Sequence, residues 1–176
     1  MVEDDAVLIS AIQQGDEDAM AQLVRRYYDE ILRYIYRLGS PYEEAKDLTQ
    51  ETFVAMLQAL PAYKEQGTFK AWLYRIARNR AMIYVTRTRR SVEFTDEHDS
   101  LHQVSDLEDQ FSDRSDVQEL LASLPAKQRD ALILKYYHGF TAKEIATITK
   151  TTVPAVKSRL FQGLQKLRKR AKGVME

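Results

Sequence analysis

The sequence predicts an all-α chain of two small helical domains joined by a flexible acidic linker. Three observations carry that prediction. Apolar residues recur at helical spacing through most of residues 1–92 and again through 124–170, and no alternating strand pattern competes with them. Between the two blocks, VEFTDEHDSLHQVSDLEDQFSDR loses the helical period and gathers Asp, Glu and Ser, the composition of a linker. Charge divides at the same places. Residues 1–92 hold 13 basic and 13 acidic groups, residues 93–119 hold 1 and 10, and residues 120–176 hold 12 and 3, all hidden under a net charge of zero. The expected divisions are 1–92, 93–114 and 115–176.

In chain order, Asp16 is the N-cap of a long helix whose Met20, Leu23, Val24, Tyr27, Ile31, Ile35 and Leu38 form one apolar stripe, ended by Gly39 and Pro41. A second helix runs from about Tyr42 to Leu60 with Ala45, Leu48, Met56 and Leu60 inward, and Pro61 stops it. A third begins near Thr68 and turns Phe69, Trp72, Leu73, Ile76, Ala77 and Ile83 inward. After the linker, residues 124–170 read as three short helices. Ala142 to Ile148 carries Ile145 and the small Ala146 on its inner face, so that another helix can cross close above it. A four-residue polar turn follows. Thr152 then caps the last helix, Pro154 sits in its first turn where a missing N–H costs nothing, and Val156, Leu160, Leu164 and Leu167 form its apolar stripe. No internal repeat links the blocks, so each is expected to own its core and to move freely on the tether.

Composition excludes several classes of function. A content of 44% apolar residues over 176 positions supports real cores, and the absence of cysteine removes disulfides, thiol redox chemistry and Cys-ligated zinc. No apolar run reaches the length of a membrane span, and the acidic start MVEDDAVLIS is unlike a secretory signal, so a soluble cytoplasmic protein without membrane insertion is expected. Asp47 and Glu51 lie one helical turn apart, yet no third group completes an acid/base or metal site. His98 and His102 share that spacing inside the acidic tract and read as solvated. No catalytic residue, metal or cofactor is expected.

The charged motifs point to nucleic acid. The last helix sets Lys157, Ser158, Arg159, Gln162 and Lys166 opposite its apolar stripe, which is the recognition position of a helix-turn-helix unit, although a merely solvated basic face is the plain alternative. The stretch TFKAWLYRIARNR, residues 68–80, interleaves aromatics with arginines, a pattern suited to single strands, where cations meet phosphates and flat groups meet unstacked bases. Trp72 reads more readily as core than as a stacking platform; Phe69, beside the Gly67 turn, suits either role. Tyr136, Tyr137 and His138 before Gly139 read as packing and capping.

The order DLTQETF, GTFKAWLYRIARNRA with its basic trail Arg87-Thr88-Arg89-Arg90, LPAKQRDALILKYYHGFTAKEIA and VKSRL resembles the bacterial extracytoplasmic-function sigma factors, over nearly the whole chain outside the linker. The resemblance implies a first domain that binds the clamp helices of the polymerase largest subunit and opens the promoter minus-10 element, and a second that reads the minus-35 duplex beside the flap of the second-largest subunit. It assigns Asp47, Leu48, Gln50, Glu51, Phe53 and Leu57 to the clamp. Tyr63, Thr68 and Phe69 fall in the loop that captures a flipped base, and Arg75, Arg78, Asn79 and Arg80 on the helix beside the minus-10 DNA. Thr152, Val153, Pro154, Lys157, Ser158, Arg159 and Gln162 belong to the minus-35 helix. An anti-sigma partner is implied too. The chain departs from the family pattern in having Thr149 and Thr151 at usually apolar positions and Pro154-Ala155 in place of Gly-Thr. A dimeric helix-turn-helix regulator acting without polymerase is the rival reading.

Overall fold

The computed structural model describes residues 4–64, 67–93 and 115–174, and the predicted linker, with His98 and His102, lies outside them. Every regular element among the described residues is helical. A short helix α1 (Asp5–Gln13) precedes the long α2 (Glu17–Arg37), α3 (Tyr42–Ala59), a 3-10 turn at Leu60–Ala62, and α4 (Phe69–Glu93). The second block contains α5 (Ser115–Ala122), α6 (Ala126–Tyr136), α7 (Ala142–Ile148) and α8 (Val153–Val174).

Local chemistry sets the ends of these helices. The Asp16 carboxylate accepts from the Ala19 N–H at 3.0 Å, and Thr68 Oγ1 accepts from the Ala71 N–H at 3.2 Å to start α4. Thr141 and Glu144 form a reciprocal capping box on α7. Thr152 Oγ1 accepts from the Ala155 N–H at 3.3 Å, with Pro154 in the first turn as its ring requires. Thr149 explains one departure from the family pattern. It is buried, and its hydroxyl donates to the Ile145 carbonyl at 2.8 Å, so a satisfied threonine fills an apolar position.

The core of the first block is built from Leu23, Tyr27, Ile31 and Ile35 of α2, Ala45, Leu48, Phe53 and Met56 of α3, and Leu73, Tyr74 and Ala77 of α4. α1, which the sequence pattern did not separate, adds Leu8 and Ile9 and is anchored by Asp5 to Arg26 and Tyr27. Ile83, expected inward, is exposed.

The expectation of two independent cores is corrected by the packing. α7 lies along α4 and α6 touches α2, so that one continuous apolar cluster runs from Leu8 to Val156. Phe140 meets the Tyr74 ring edge-on at a centroid distance of 4.9 Å, and Arg37 lies 4.1 Å above the Tyr137 ring. Arg129, buried in α6, donates to the carbonyls of Leu121, Ala122 and Leu124 at the end of α5, and to the Leu38 carbonyl at the end of α2. That reach requires Gly39. It has φ +112°, and a Cβ there would stand 2.8 Å from the Arg129 guanidinium. Sequence pattern missed this joint because its members are polar or aromatic and sit outside the apolar stripes.

Candidate nucleic-acid and partner interfaces

On α3, Asp47, Gln50 and Glu51 face solvent together with Val54, an apolar side chain 55% exposed in their midst. Leu48 and Phe53 point the other way into the core and Leu57 is half-buried. The six positions assigned to the clamp by resemblance therefore divide into an outward polar face and the residues that brace it, and the exposed Val54 beside them was not among those assigned. An apolar side chain flanked by carboxylate and amide groups has the mixed character of a contact surface.

The loop ahead of α4 is aromatic. Tyr63 packs 4.7 Å from Trp72 and 5.8 Å from Phe69 by ring centroids, while Phe69 is buried against Tyr27 and Trp72 is half-buried. Phe69 is thus the floor of the loop, and Tyr63 and Thr68 are its more accessible members. Beside them opens a cleft of about 340 Å³ lined by Asp4, Ile9, Gln13, Tyr63, Thr68 and Phe69. α1 supplies one of its walls, which the sequence did not reveal.

The basic residues of α4 are not equally available. Asn79 is exposed and Arg75 half-buried, whereas Arg80 pairs with Glu51 at 3.0 Å. Arg78 turns inward across the domain boundary. Its Nε donates to Asp130 Oδ2 at 2.6 Å, and the Tyr34 hydroxyl donates to Asp130 Oδ1 at 2.8 Å. Asp130 is 1% exposed. Burial pushes its carboxyl pKa up, and the Arg78 charge and the two hydrogen bonds oppose that rise.

A second polar joint lies nearby. Tyr74 has one proton to give, and its hydrogen bond to Glu30 Oε2 at 3.1 Å uses it. His138 therefore donates from Nδ1 to the Tyr74 oxygen at 2.7 Å, and its buried Nε2, with no hydrogen-bond partner, keeps only a lone pair. Burial, followed by the Arg37 charge, holds the imidazole pKa down at about 4. Lys70 closes the chain by pairing with Glu30 at 2.8 Å. His138 packs as expected, whereas Tyr136 is exposed and Tyr137, though stacked under Arg37, is exposed as well.

On α8, Thr152, Pro154, Lys157, Ser158 and Gln162 are exposed, Arg159 is half-buried and Val153 packs against the core. Gln162 accepts from Gln128 Nε2 at 3.0 Å and donates to Ser158 Oγ at 3.2 Å, which fixes its amide orientation. Phe161, 64% exposed on the same helix, was not anticipated. Among the described residues no cluster of three or more His, Cys, Asp or Glu side chains is placed to hold a metal ion, and no helix is long and apolar enough to cross a membrane.

A helix-turn-helix block packed on a helical block with aromatic and basic features defines a nucleic-acid-binding class of protein. Comparison with known proteins narrows it. Residues 23–91 match the family model for sigma-70 region 2, and residues 114–167 match that for sigma-70 region 4. The chain is 31% identical to the RNA polymerase sigma-H factor of Pseudomonas aeruginosa, over 95% of this chain and 93% of that protein. It is 32% identical to the extracytoplasmic-function RNA polymerase sigma-E factor of Escherichia coli K12, over 90% of this chain and 89% of that one. Its fold is similar to that of CnrH in complex with the cytosolic domain of CnrY, with a TM-score of 0.75 at 24% identity, covering 96% of this chain and 97% of that one. It is also similar to the sigma factor RpoE of Bartonella quintana in complex with the anti-sigma factor NepR, with a TM-score of 0.71 at 25% identity, covering 86% of this chain and 96% of that one. The chain belongs to the extracytoplasmic-function sigma factors of the sigma-70 family, promoter-specificity subunits of bacterial RNA polymerase.

Proposed function

We propose that the chain divides initiation among three surfaces. The outward face of α3, with Asp47, Gln50, Glu51 and Val54, docks on the clamp helices of the polymerase largest subunit, while Leu48, Phe53 and Leu57 brace it from behind. The loop at Tyr63, Thr68 and Phe69 captures an unstacked base of the minus-10 strand, and Arg75, Arg78, Asn79 and Arg80 engage its phosphates. The start of α8, with Thr152, Val153, Pro154, Lys157, Ser158, Arg159 and Gln162, enters the minus-35 major groove, and the rest of residues 115–176 rests on the flap of the second-largest subunit. Residues 93–114 tether the two halves in this reading. The chain supplies no covalent chemistry: unstacking costs a few kcal/mol per base, which contacts to the captured base and phosphates must offset. It acts in the cytoplasm, and an anti-sigma protein is a further partner.

The observation that carries this reading is the capped start of α8, where Thr152, Lys157 and Ser158 are exposed in a block holding 12 basic groups against 3 acidic ones. The test is transcription from genomic DNA by core RNA polymerase with and without the chain, mapping transcript starts. New starts that share a two-part upstream sequence support the reading. Specific binding to a palindromic duplex by the chain alone, with no effect on transcript starts, would establish the dimeric regulator instead. Asp47→Ala and Gln50→Ala are expected to weaken capture of the core enzyme while leaving the melting temperature unchanged, because both side chains are exposed.

A further inference from the structure

Gln128 is a polar side chain where the crossing of α6 and α8 calls for an apolar one. It is 9% exposed, and its Oε1 is buried with no hydrogen-bond partner among the described residues, an unrelieved cost at a place where a methionine of the same length would pack without one. Its Nε2 does have a partner. It donates to Gln162 Oε1 at 3.0 Å, and Gln162 Nε2 donates in turn to Ser158 Oγ at 3.2 Å, one helical turn earlier. Turned over, the Gln128 amide would bury an NH2 group without an acceptor, which native structures tolerate less well than an unpaired carbonyl, so the direction of this chain of bonds is set. Gly163 makes the reach possible. A Cβ there would stand 2.8 Å from Leu132 Cδ1 and 3.6 Å from Gln128 Cβ, so the glycine lets α6 approach α8 closely beside Gln162.

Gln162 itself is exposed on α8, and both of its amide atoms are only half used: Oε1 keeps a lone pair and Nε2 an N–H. A side chain that would otherwise sample several rotamers is held from two sides, with one acceptor and one donor left for a ligand. Adenine is the base whose major-groove edge sets a donor, N6, beside an acceptor, N7, whereas guanine offers two acceptors, cytosine one donor, and thymine an acceptor and a methyl group. We infer that Gln162 reads an adenine in the minus-35 duplex and that Gln128 is its positioning residue, holding the amide in the bidentate orientation before DNA arrives. This rests on the proposed entry of α8 into that duplex. A glutamine ordered in advance loses less freedom on the base, so the buried amide gives up packing at α6 for selectivity at α8.

The test uses the full chain assembled with core RNA polymerase and a promoter pool randomised over the upstream half of the two-part sequence, with templates sequenced before and after selection by transcription. The native holoenzyme is expected to favour adenine about tenfold at one position of one strand. Gln162→Ala should remove that preference and leave the other positions as they were. Gln128→Met, or Gln128→Leu should the first fold poorly, is expected to lower it about threefold at the same position, while the melting temperature of the chain stays level or rises because an orphaned acceptor is gone. A preference that survives Gln162→Ala, or one that Gln162→Ala removes for a base other than adenine, would overturn the base contact and leave the promoter-reading function standing. Preference undiminished in both Gln128 variants, or relaxed at every upstream position together with a fall in melting temperature, would overturn the positioning role. Transcription by the native holoenzyme with no upstream preference would overturn the minus-35 reading itself, and this inference with it.

Discussion

Replacing Arg129 by Met keeps the length and much of the buried methylene stem but removes every donor of the guanidinium. In the native chain those donors reach four carbonyls: Leu121, Ala122 and Leu124 at the end of α5, and Leu38 at the end of α2. Helix C-termini leave such oxygens without intrahelical partners, and a cation among them also meets the negative end of each macrodipole. Ala122 is exposed and water can replace its donor, and the Leu121 carbonyl keeps the Leu124 N–H at 3.1 Å, whereas the carbonyls of the buried Leu38 and Leu124 lose their donor. At about 1–2 kcal/mol for each of these two buried acceptors left unpaired, the loss is roughly 2–4 kcal/mol. For a chain of this size that is a fall of about 10 °C in melting temperature. Arg129→Lys, a single ammonium with fewer directed donors, should fall between the two. Thermal unfolding followed by circular dichroism or calorimetry measures both. A fall of less than about 3 °C for Arg129→Met would refute the view that one arginine ties α5 to α2.

Three further outcomes follow from the same geometry. Gly163→Ala places a methyl 2.8 Å from Leu132 Cδ1 where α8 crosses α6, so overpacking should outweigh the gain in helix propensity and cost about 1 kcal/mol. A double-mutant cycle with Leu132→Ala in chemical denaturation should show the two changes compensating, and strict additivity would contradict a steric origin. His138 titrates near 4 in the folded chain against an ordinary 6.5, so its contribution to stability is complete above 6.5 and is lost as pH falls toward 4; at about pH 5.5 the loss is roughly 1.4 kcal/mol. Arg37, Lys70 and Arg33 disfavour its protonation and Glu30 favours it, while Asp130, whose pKa is raised, pulls stability the opposite way in acid; the measurement is therefore the difference in pH dependence between the native chain and His138→Asn, and parallel curves would remove His138 from the account. Arg159→Ala should cost about 1–3 kcal/mol on a cognate minus-35 duplex and relax the preference at one or two positions, whereas Lys157→Ala should weaken all duplexes alike; equal losses for both on cognate and random DNA, measured by anisotropy, would deny Arg159 a base contact.

The helix-turn-helix unit was legible almost to the residue because its signals are local. The Thr152 cap and Pro154 were read from the sequence and the 142–148 helix has the predicted bounds, although the Thr141–Glu144 capping box that starts it was not read. α1 was not legible. At nine residues, following an acidic start, it is too short for periodicity to decide, and it is held by an Asp5 contact to α2 that no spacing rule expresses. The residues assigned to the clamp and to the minus-10 strand came from motif, and motif does not tell outward from inward: Leu48, Phe53 and Phe69 are buried, and the exposed Val54 was passed over. The domain joint was hidden for a related reason. Asp130, Arg129 and His138 look like ordinary polar positions of surface helices until a partner 50 to 100 residues away covers them.

The composition of that joint bears on what it is for. A buried ion pair seldom stabilises a protein more than apolar packing of the same volume, since desolvation offsets most of the attraction. The joint combines apolar packing, as where Phe140 meets Tyr74, with the polar set of Arg78, Asp130, Tyr34, Tyr74 and His138. Apart from the buried Nε2 of His138, their polar atoms find hydrogen-bond partners in the packed form, several of them from the facing block. The pairing is also selective, because a shifted register would leave Asp130 buried without its guanidinium, a loss of about 3–5 kcal/mol when one partner of such a pair is missing. A joint built this way favours one packed arrangement over misaligned ones, because only one register gives the buried Asp130 carboxylate its guanidinium and its hydroxyl donor together.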